Sequence, residues 1–334
     1  RPGAEAALRR SLELEPGGAE ALCRLAQALR DRPEEALAAA GRAAEGATLV
    51  VASAGDGQRH RTPETAARKR AALSTLPVPC GRPFTLGTRR LELVATGGVI
   101  GGAGLLVEVD GRRVFYAGSV CPRGVGLGGR ADVRRCDVLV LAAVHGGARF
   151  DPAAAAAAAV DFAVTAAAAG ATPVLLVASA SRGLDVAGAL AAAGLPARAH
   201  RDVHHAARRL APLGVDLPPL RRAAPRRGAA AGEALIWMVR RRGALARLAL
   251  ERPRIALVSG AAADRSAVAE AGAEAGFAWS SHGDRDDLVA YIEAAGAAEV
   301  LLTGRAGEAL AAALDGRGRS VRTLGPPHQM DLFA

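Results

Sequence analysis

The sequence predicts an α/β protein, and three patterns lead to this prediction. Two alternating apolar runs, Leu105–Val109 and Val114–Tyr116, flank Asp110-Gly111, which is typical of a tight β-hairpin because both turn residues tolerate positive φ. Farther along, short apolar runs alternate with helical segments, which indicates a parallel sheet covered by helices. Residues 1–46 carry apolar positions at helical spacing and predict a short α-helical repeat.

Composition restricts the classes of partner and compartment. The 334 residues carry a formal net charge of +10, which favours polyanionic partners. The alternative explanation of the positive charge is codon bias in a GC-rich genome, which enriches a protein in arginine and alanine. The four cysteines are far apart, which argues against zinc knuckles and disulfide scaffolds and predicts a cytoplasmic location. No apolar run reaches the roughly 18 residues that span a bilayer, and we expect no membrane partner and no signal peptide.

The N-terminal segment, residues 1–46, reads as paired helices. Leu8 and Leu12 begin one apolar stripe, Ala19–Leu29 carries a second, and Pro33 stands at the start of a third helix. The pattern resembles a tetratricopeptide repeat. One such unit cannot bury its own apolar face, so we expect it to pack on other repeats or on the next domain.

Three further segments follow. Residues 47–150 predict a β-rich run, a basic helix, the hairpin and a buried strand over Cys136–Leu141. Residues 151–252 predict an α/β segment: Asp151-Pro152 caps an alanine-rich helix, Thr172–Ala178 is a buried strand, and Arg221–Arg227 is an exposed basic linker. Residues 253–334 predict a strand from Ile255 onward and a C-terminal tail.

Several motifs resemble the metallo-β-lactamase-fold nucleases that carry a β-CASP insert. That family has Ala-Gly-His-x-x-Gly-Ser-Ala before a hairpin, Tyr-Thr-Gly-Asp at its end, and Cys-Asp-Val-Leu-x-x-Glu on a later strand. The corresponding segments here are Thr96–Ala103, Tyr116–Ser119 and Cys136–Gly146. Nearer the C-terminus, Ser280–Asp284 resembles the family's Ser-Asp-His-Ala-Asp. The resemblance spans about residues 47–334 and is closest to bacterial RNA-processing and ligase-associated DNA exonucleases.

The resemblance implies a fold and a division of the chain. It implies a metallo-β-lactamase-like αββα sandwich with an inserted β-CASP α/β domain, preceded by the short helical repeat. Residues 1–46 would be the tetratricopeptide-like segment and 47–150 the first, degenerate part of the sandwich. Residues 151–252 would be the β-CASP-like insert, and 253–334 the second part of the sandwich with the tail.

The metal-binding side chains of the family are mostly replaced. The family uses two zinc ions, which need several imidazoles and bridging carboxylates to generate hydroxide at a phosphodiester. Asp56 and His282 alone keep the residue types of that site. The positions that correspond to its ligands and catalytic groups are Ala52, Ala54, Asp56, Gly57, Gly98, Ser119, Ala142, His282 and Thr303.

Other candidate sites are weaker. His200 and His204 could hold a metal at helical i, i+4 spacing, but the solvated face of a helix is the simpler interpretation. His145 follows a buried strand and is expected to pack. We therefore predict no catalytic residues, no bound metal and no cofactor, so the resemblance implies a catalytically inactive homologue of a zinc-dependent nuclease.

Two kinds of partner are predicted. Nucleic acid, DNA or RNA, would contact arginines in or near the insert, because guanidinium groups suit phosphate oxygens. The C-terminal peptide resembles the Gln-Leu-Ser/Asp-Leu-Phe motif with which bacterial replication and repair proteins dock on the sliding clamp; folding back onto its own domain is the alternative. The nucleic-acid-binding candidates are Arg182, Arg221, Arg222, Arg226 and Arg227, and the partner-binding candidates are Gln329, Met330, Asp331, Leu332 and Phe333.

Two other functions remain open on the sequence alone. One is an active metal-dependent exonuclease or hydrolase with a substitute metal site, which would require histidines and acids to cluster in the central cleft. The other is a protein-interaction scaffold, which a neutral cleft would favour.

Overall fold

A computed structural model describes residues 79–86, 89–109, 111–224, 229 and 232–324. The predicted helical repeat, the motif at Ala52–Gly57 and the C-terminal peptide lie outside this part of the chain. Within it, two β-sheets carry helices on their faces, so the predicted α/β class is confirmed. None of its helices is long and apolar enough to cross a bilayer.

The described residues form thirteen strands and six α-helices. The strands are β1 (Phe84–Leu86), β2 (Arg89–Ala95), β3 (Ala103–Val109), β4 (Arg112–Gly118), β5 (Val138–Ala142), β6 (Thr172–Val177), β7 (Ala197–Ala199), β8 (Arg221–Arg222), β9 (Ala234–Met238), β10 (Pro253–Val258), β11 (Ala275–Phe277), β12 (Glu299–Thr303) and β13 (Ser320–Thr323). The helices are α1 (Pro152–Ala168), α2 (Ala180–Ala192), α3 (Arg201–Leu210), α4 (Arg265–Glu270), α5 (Arg285–Ala295) and α6 (Gly307–Leu314), and 3-10 turns cover Ala211–Leu213, Val239–Arg247 and Gly260–Ala263.

The first sheet has seven strands in the order β1-β2-β3-β4-β5-β12-β13. Strands β1 to β4 form an antiparallel meander, and β5, β12 and β13 continue it in parallel. Val109 pairs with Arg112, and Gly111 has a φ of 75°, so the predicted hairpin is confirmed. Helices α5 and α6 cover one face, where Leu288, Ile292 and Leu310 pack in one apolar cluster with side chains of the central strands.

The second sheet has six strands, all parallel, in the order β11-β10-β6-β9-β7-β8. Both β6 and β9 are buried along their whole length, as expected for central strands covered on both faces. Separate apolar clusters lie on the two faces, one of them containing residues of α1, α2 and α3. The predicted alternation of strands and helices over a parallel sheet is therefore confirmed.

Two sequence interpretations in this region need adjustment. Arg221 and Arg222, taken as part of a linker, form the edge strand β8 beside β7. Strand β10, which begins at Pro253, pairs with β6, so the second sheet continues past the predicted boundary at residue 252 and ends with β11.

Candidate functional site: a seam between the sheets and a basic edge

Three of the predicted ligand positions lie at one edge of the first sheet. Ser119 directly follows β4, Ala142 ends β5 and Thr303 ends β12. Ala142 and Thr303 are direct partners across the two strands. The carboxyl ends of adjacent parallel strands are where open α/β sheets place their ligands. The positions Ala52, Ala54, Asp56 and Gly57 are outside the described residues.

Gly98 meets the backbone of a distant segment at this edge. Its φ is 72°, and a Cβ built on it would lie 2.1 Å from the Ser281 carbonyl oxygen and 3.0 Å from the Cys121 Cβ. Its N–H donates to the Gly129 carbonyl at 3.2 Å, which fixes the turn against a second loop. The space that a ligating side chain would need at position 98 is therefore filled by the chain itself.

His282 lies beside His145, which the sequence had placed after β5 as a packing residue. Their ring centroids are 5.7 Å apart, and Phe150 packs edge-on against His145 at 5.8 Å. Burial lowers the pKa of His145 to about 4, with smaller contributions from His282 and Arg305. Burial and then the Arg182 charge also lower the pKa of His282. Both imidazoles are thus neutral at neutral pH.

Arg182 and Asp185 form a buried ion pair in α2. The Arg182 Nη1 to Asp185 Oδ2 distance is 3.0 Å, and the two side chains are 3% and 0% exposed. Asp185 Oδ1 accepts from the Leu127 N–H at 2.7 Å, and the Arg182 guanidinium lies 4.9 Å from the centroid of the Trp279 ring. Burial raises the pKa of Asp185, and the Arg182 charge opposes this rise. The pair thus joins α2 to a loop of the first sheet and to the segment after β11.

We call this junction the seam and define it by Gly98, Cys121, His145, Arg182, Asp185, Trp279, Ser281 and His282. Arg182 was predicted to contact nucleic acid; the structure buries it here, and that contact stays a prediction. The sequence did not reveal Asp185 or Trp279. The i, i+3 spacing of Arg182 and Asp185 was the one local signal, and Trp279 joins them only through tertiary packing.

Asp284, the last residue of the motif Ser280–Asp284, has a structural role. It is the N-cap of α5 and forms a capping box with Asp287. Asp284 Oδ2 also accepts from Arg123 Nη2 at 2.9 Å and from the Phe150 N–H at 3.0 Å. Its oxygens are thereby committed to the loops that surround the seam.

Histidines and acids do not gather into a metal site in the part of the chain that the structure covers. There, no group of three or more His, Cys, Asp or Glu side chains could hold a metal ion. His200, one of the two helical histidines considered as a metal pair, is buried as the N-cap of α3, and its Nδ1 accepts from the Asp202 N–H at 3.2 Å.

The second sheet ends in an arginine-rich surface. Residues 197–247 contain twelve arginines against three acidic residues. Arg221 and Arg222 lie on β8, the outermost strand, while Arg226 and Arg227 are outside the described residues. We call this surface the basic edge, and its described members are Arg201, His204, Arg208, Arg221, Arg222, Arg240 and Arg241.

Two carboxylates hold part of the basic edge in place. Asp202 Oδ2 pairs with Arg240 Nη2 at 2.9 Å, which ties α3 to the turn after β9. Glu233 pairs with Arg198 at 2.6 Å and with Arg221 at 3.8 Å. Arg221 and Arg240 remain 75% and 64% exposed, so both guanidinium groups can still meet a ligand.

Comparisons with known proteins add little. No protein-family model matches the chain, and no curated protein matches it. A solved structure, a protein of unknown function from Enterococcus faecalis V583, matches with a TM-score of 0.43 and 10% sequence identity. The match covers 69% of this chain and 61% of that one, so this chain spans less than two thirds of the length of that protein. Similarity at this level identifies neither family nor function.

Proposed function

We propose that the chain is a non-catalytic homologue of the metallo-β-lactamase-fold nucleases with a β-CASP insert, and that it binds single-stranded nucleic acid. The basic edge is the observation on which the binding function rests. The seam supports the loss of catalysis. The sandwich, the insert and the helical repeat belong to this proposal, as does a docking role for the C-terminal peptide.

The residues at the seam do not fit a dinuclear zinc site. Such a site needs several nitrogen and oxygen donors that converge on two ions. Position 98, where the resemblance puts a histidine, has the Ser281 carbonyl in the place of a side chain. Ala142 offers no donor from its side chain, and a neutral Ser119 hydroxyl is a poor substitute for a bridging carboxylate.

The basic edge fits a phosphodiester backbone better than it fits bases. Arginine presents a planar fork of donors that matches phosphate oxygens. Aromatic residues make up only 3% of the sequence, so stacking platforms for bases are scarce. Successive side chains of a β-strand point to opposite faces of the sheet, so Arg221 and Arg222 lie on opposite faces of β8. A nucleic-acid strand that follows the outer side of β8 would therefore meet one arginine on each face. Binding is therefore expected to be largely independent of sequence.

Binding of a labelled thymidine oligonucleotide over a range of salt concentrations tests this function. Affinity should fall with salt, with a log–log slope of about −0.7 for each phosphate that is neutralised. Arg221→Gln/Arg222→Gln should weaken binding and reduce that slope by up to about 1.4. The control, Arg112→Gln/Arg265→Gln, removes the same charge from exposed positions on β4 and α4 and should leave binding unchanged. Absence of binding at low salt, or equal losses in both double variants, would overturn the proposal.

Metal analysis of the same preparation tests the loss of catalysis. We expect no stoichiometric zinc and no cleavage of the oligonucleotide with added zinc or manganese. Recovery of two zinc ions per chain together with metal-dependent digestion would establish the alternative of a substitute metal site.

A further inference from the structure

Helix α3 lies beside the edge strand of the second sheet. It begins at Arg201, two residues after β7 ends, and β8 runs parallel to β7 with Arg222 opposite Ala199. The Ala223 N–H donates to the Ala199 carbonyl at 2.9 Å, which continues this pairing past the end of β8. Arg222 is therefore close to the first turns of α3.

The exposed side of α3 is cationic or becomes cationic on protonation. His204 and Arg208 are four residues apart and share a face, as do Arg201 and His205. Arg201, His205 and Arg208 are exposed, and His204 is half-buried. His204 therefore lies on the same face of α3 as Arg208, while His205 lies on the neighbouring face with Arg201.

The charged groups nearest His204 are all basic. Burial and then the charges of Arg208, Arg222 and His205 lower its pKa. The acid of α3 itself, Asp202, is paired with Arg240 and also lies near His200.

The described elements packed on α3 are α2, β7, β8 and the turn Ala211–Leu213, and none of them carries a free acid. On α2, the charged residues Arg182 and Asp185 pair with each other in the seam, and Arg198 of β7 pairs with Glu233. The turn Ala211–Leu213 has no charged residue. Among the described neighbours of His204, an anionic partner would thus have to be a ligand.

We propose that His204, together with Arg208 and Arg222, forms a phosphate-binding site of the basic edge whose affinity increases when the imidazole is protonated. This inference rests on the proposed function and names a further part of the same surface. The ligand is the phosphodiester group of a single strand, which stays anionic over the whole range in which histidine titrates.

The physical basis is proton linkage. A bound phosphate stabilises the imidazolium form and so raises the pKa of His204, which burial and the neighbouring positive charges lower in the unbound chain. Binding therefore takes up a proton and becomes tighter as the pH falls from the pKa of the bound form towards the lower pKa of the free form. One proton taken up per strand bound gives at most about a tenfold gain in affinity per pH unit. The arginines bind at every pH, so neutral conditions reduce the affinity without abolishing it.

Titrations of the thymidine oligonucleotide at about pH 7.5 and about pH 5.5, at constant ionic strength, test the inference. The affinity of the wild-type chain should be at least about tenfold higher at the lower pH than at the higher pH. His204→Gln should bind like the wild type at the higher pH and lose most of the gain. The control, Arg208→Gln, should lose affinity at both pH values and keep the gain, and circular dichroism at each pH confirms that every variant is folded.

The outcomes separate this inference from the function on which it rests. A gain that persists in His204→Gln, or a wild-type affinity that is the same at both pH values, overturns the histidine site and leaves the proposed function standing. A chain that is folded and binds at neither pH overturns both.

Discussion

At Gly98, the backbone of another segment occupies the space that a side chain would need, at the edge of the first sheet where the predicted ligand positions lie. Two costs add at this position. Its positive φ penalises any L side chain by about 1–2 kcal/mol, and a Cβ would also overlap the Ser281 carbonyl at 2.1 Å. The second cost involves two backbone segments and cannot be relieved by rotation of a side chain.

Gly98→Ala should therefore destabilise the chain more than a matched glycine substitution does. The matched control is Gly129→Ala, because Gly129 has a φ of 68° and open space where its Cβ would lie. We expect the control to lower the free energy of unfolding by about 1–2 kcal/mol and Gly98→Ala to lower it by roughly 3 kcal/mol or more. Urea denaturation followed by circular dichroism measures both, and equal losses would contradict the packing described for the seam.

At the residue scale, the sequence predicted the hairpin turn but not the seam. The residues of the hairpin are neighbours, so their φ preferences and alternation are visible in a short window. Gly98, Cys121 and Ser281 meet only in the folded chain, and no periodicity reports such a contact. The sequence shows that Gly98 has no side chain that could ligate a metal. It does not show that the backbone of another segment fills the space where such a side chain would lie.

At the scale of single elements, α2 is held in the seam by the buried pair of Arg182 and Asp185. Removal of one partner from a buried ion pair leaves the other charge without compensation and typically costs about 3–5 kcal/mol. Replacement of both partners with apolar residues of similar size is often much less costly. The pair should therefore behave as a unit.

Arg182→Met and Asp185→Leu test this unit singly and together. Each single variant should lower the free energy of unfolding by about 3–5 kcal/mol, and the double variant by clearly less than the sum of the two. Chemical denaturation of the four proteins closes the double-mutant cycle. Additive losses would show that the two charges do not interact, contrary to their separation of 3.0 Å.

Local sequence patterns predicted individual helices and strands, but they did not predict which strands pair. The helix capped by Asp151 and the buried strands β5 and β6 followed from caps and apolar runs, because those signals lie within a few residues. Strand β8 was missed because two exposed arginines carry no strand pattern and become a strand only by pairing with β7. The reach of the second sheet to β11 was missed because strand order is a tertiary property.

At the scale of the whole molecule, the seam joins the two sheets through two neutral histidines. His145 and His282 pack edge to face, with ring centroids 5.7 Å apart. Besides burial, the arginines among the described residues whose charges lower their pKa values are Arg305 for His145 and Arg182 for His282. Protonation of either ring would place a cation beside other cations in a buried setting. The stability of the junction should therefore depend on pH.

The sign of this dependence follows from the direction of the pKa shifts. The folded-state pKa of His145, about 4, lies below the unfolded value of about 6.5, so the unfolded chain binds more protons between these values. The contribution of the neutral His145 imidazole is fully present above about pH 6.5 and is lost as the pH falls towards 4, by up to about 1.4 kcal/mol per pH unit. The lowered pKa of His282 acts in the same direction. His145→Gln/His282→Gln should weaken this acid sensitivity, since glutamine stays neutral, whereas His205→Gln, at an exposed position on α3, should retain it. Urea midpoints at about pH 7 and about pH 5 measure the difference, and the same loss of stability in all three proteins would contradict a role for the histidine pair.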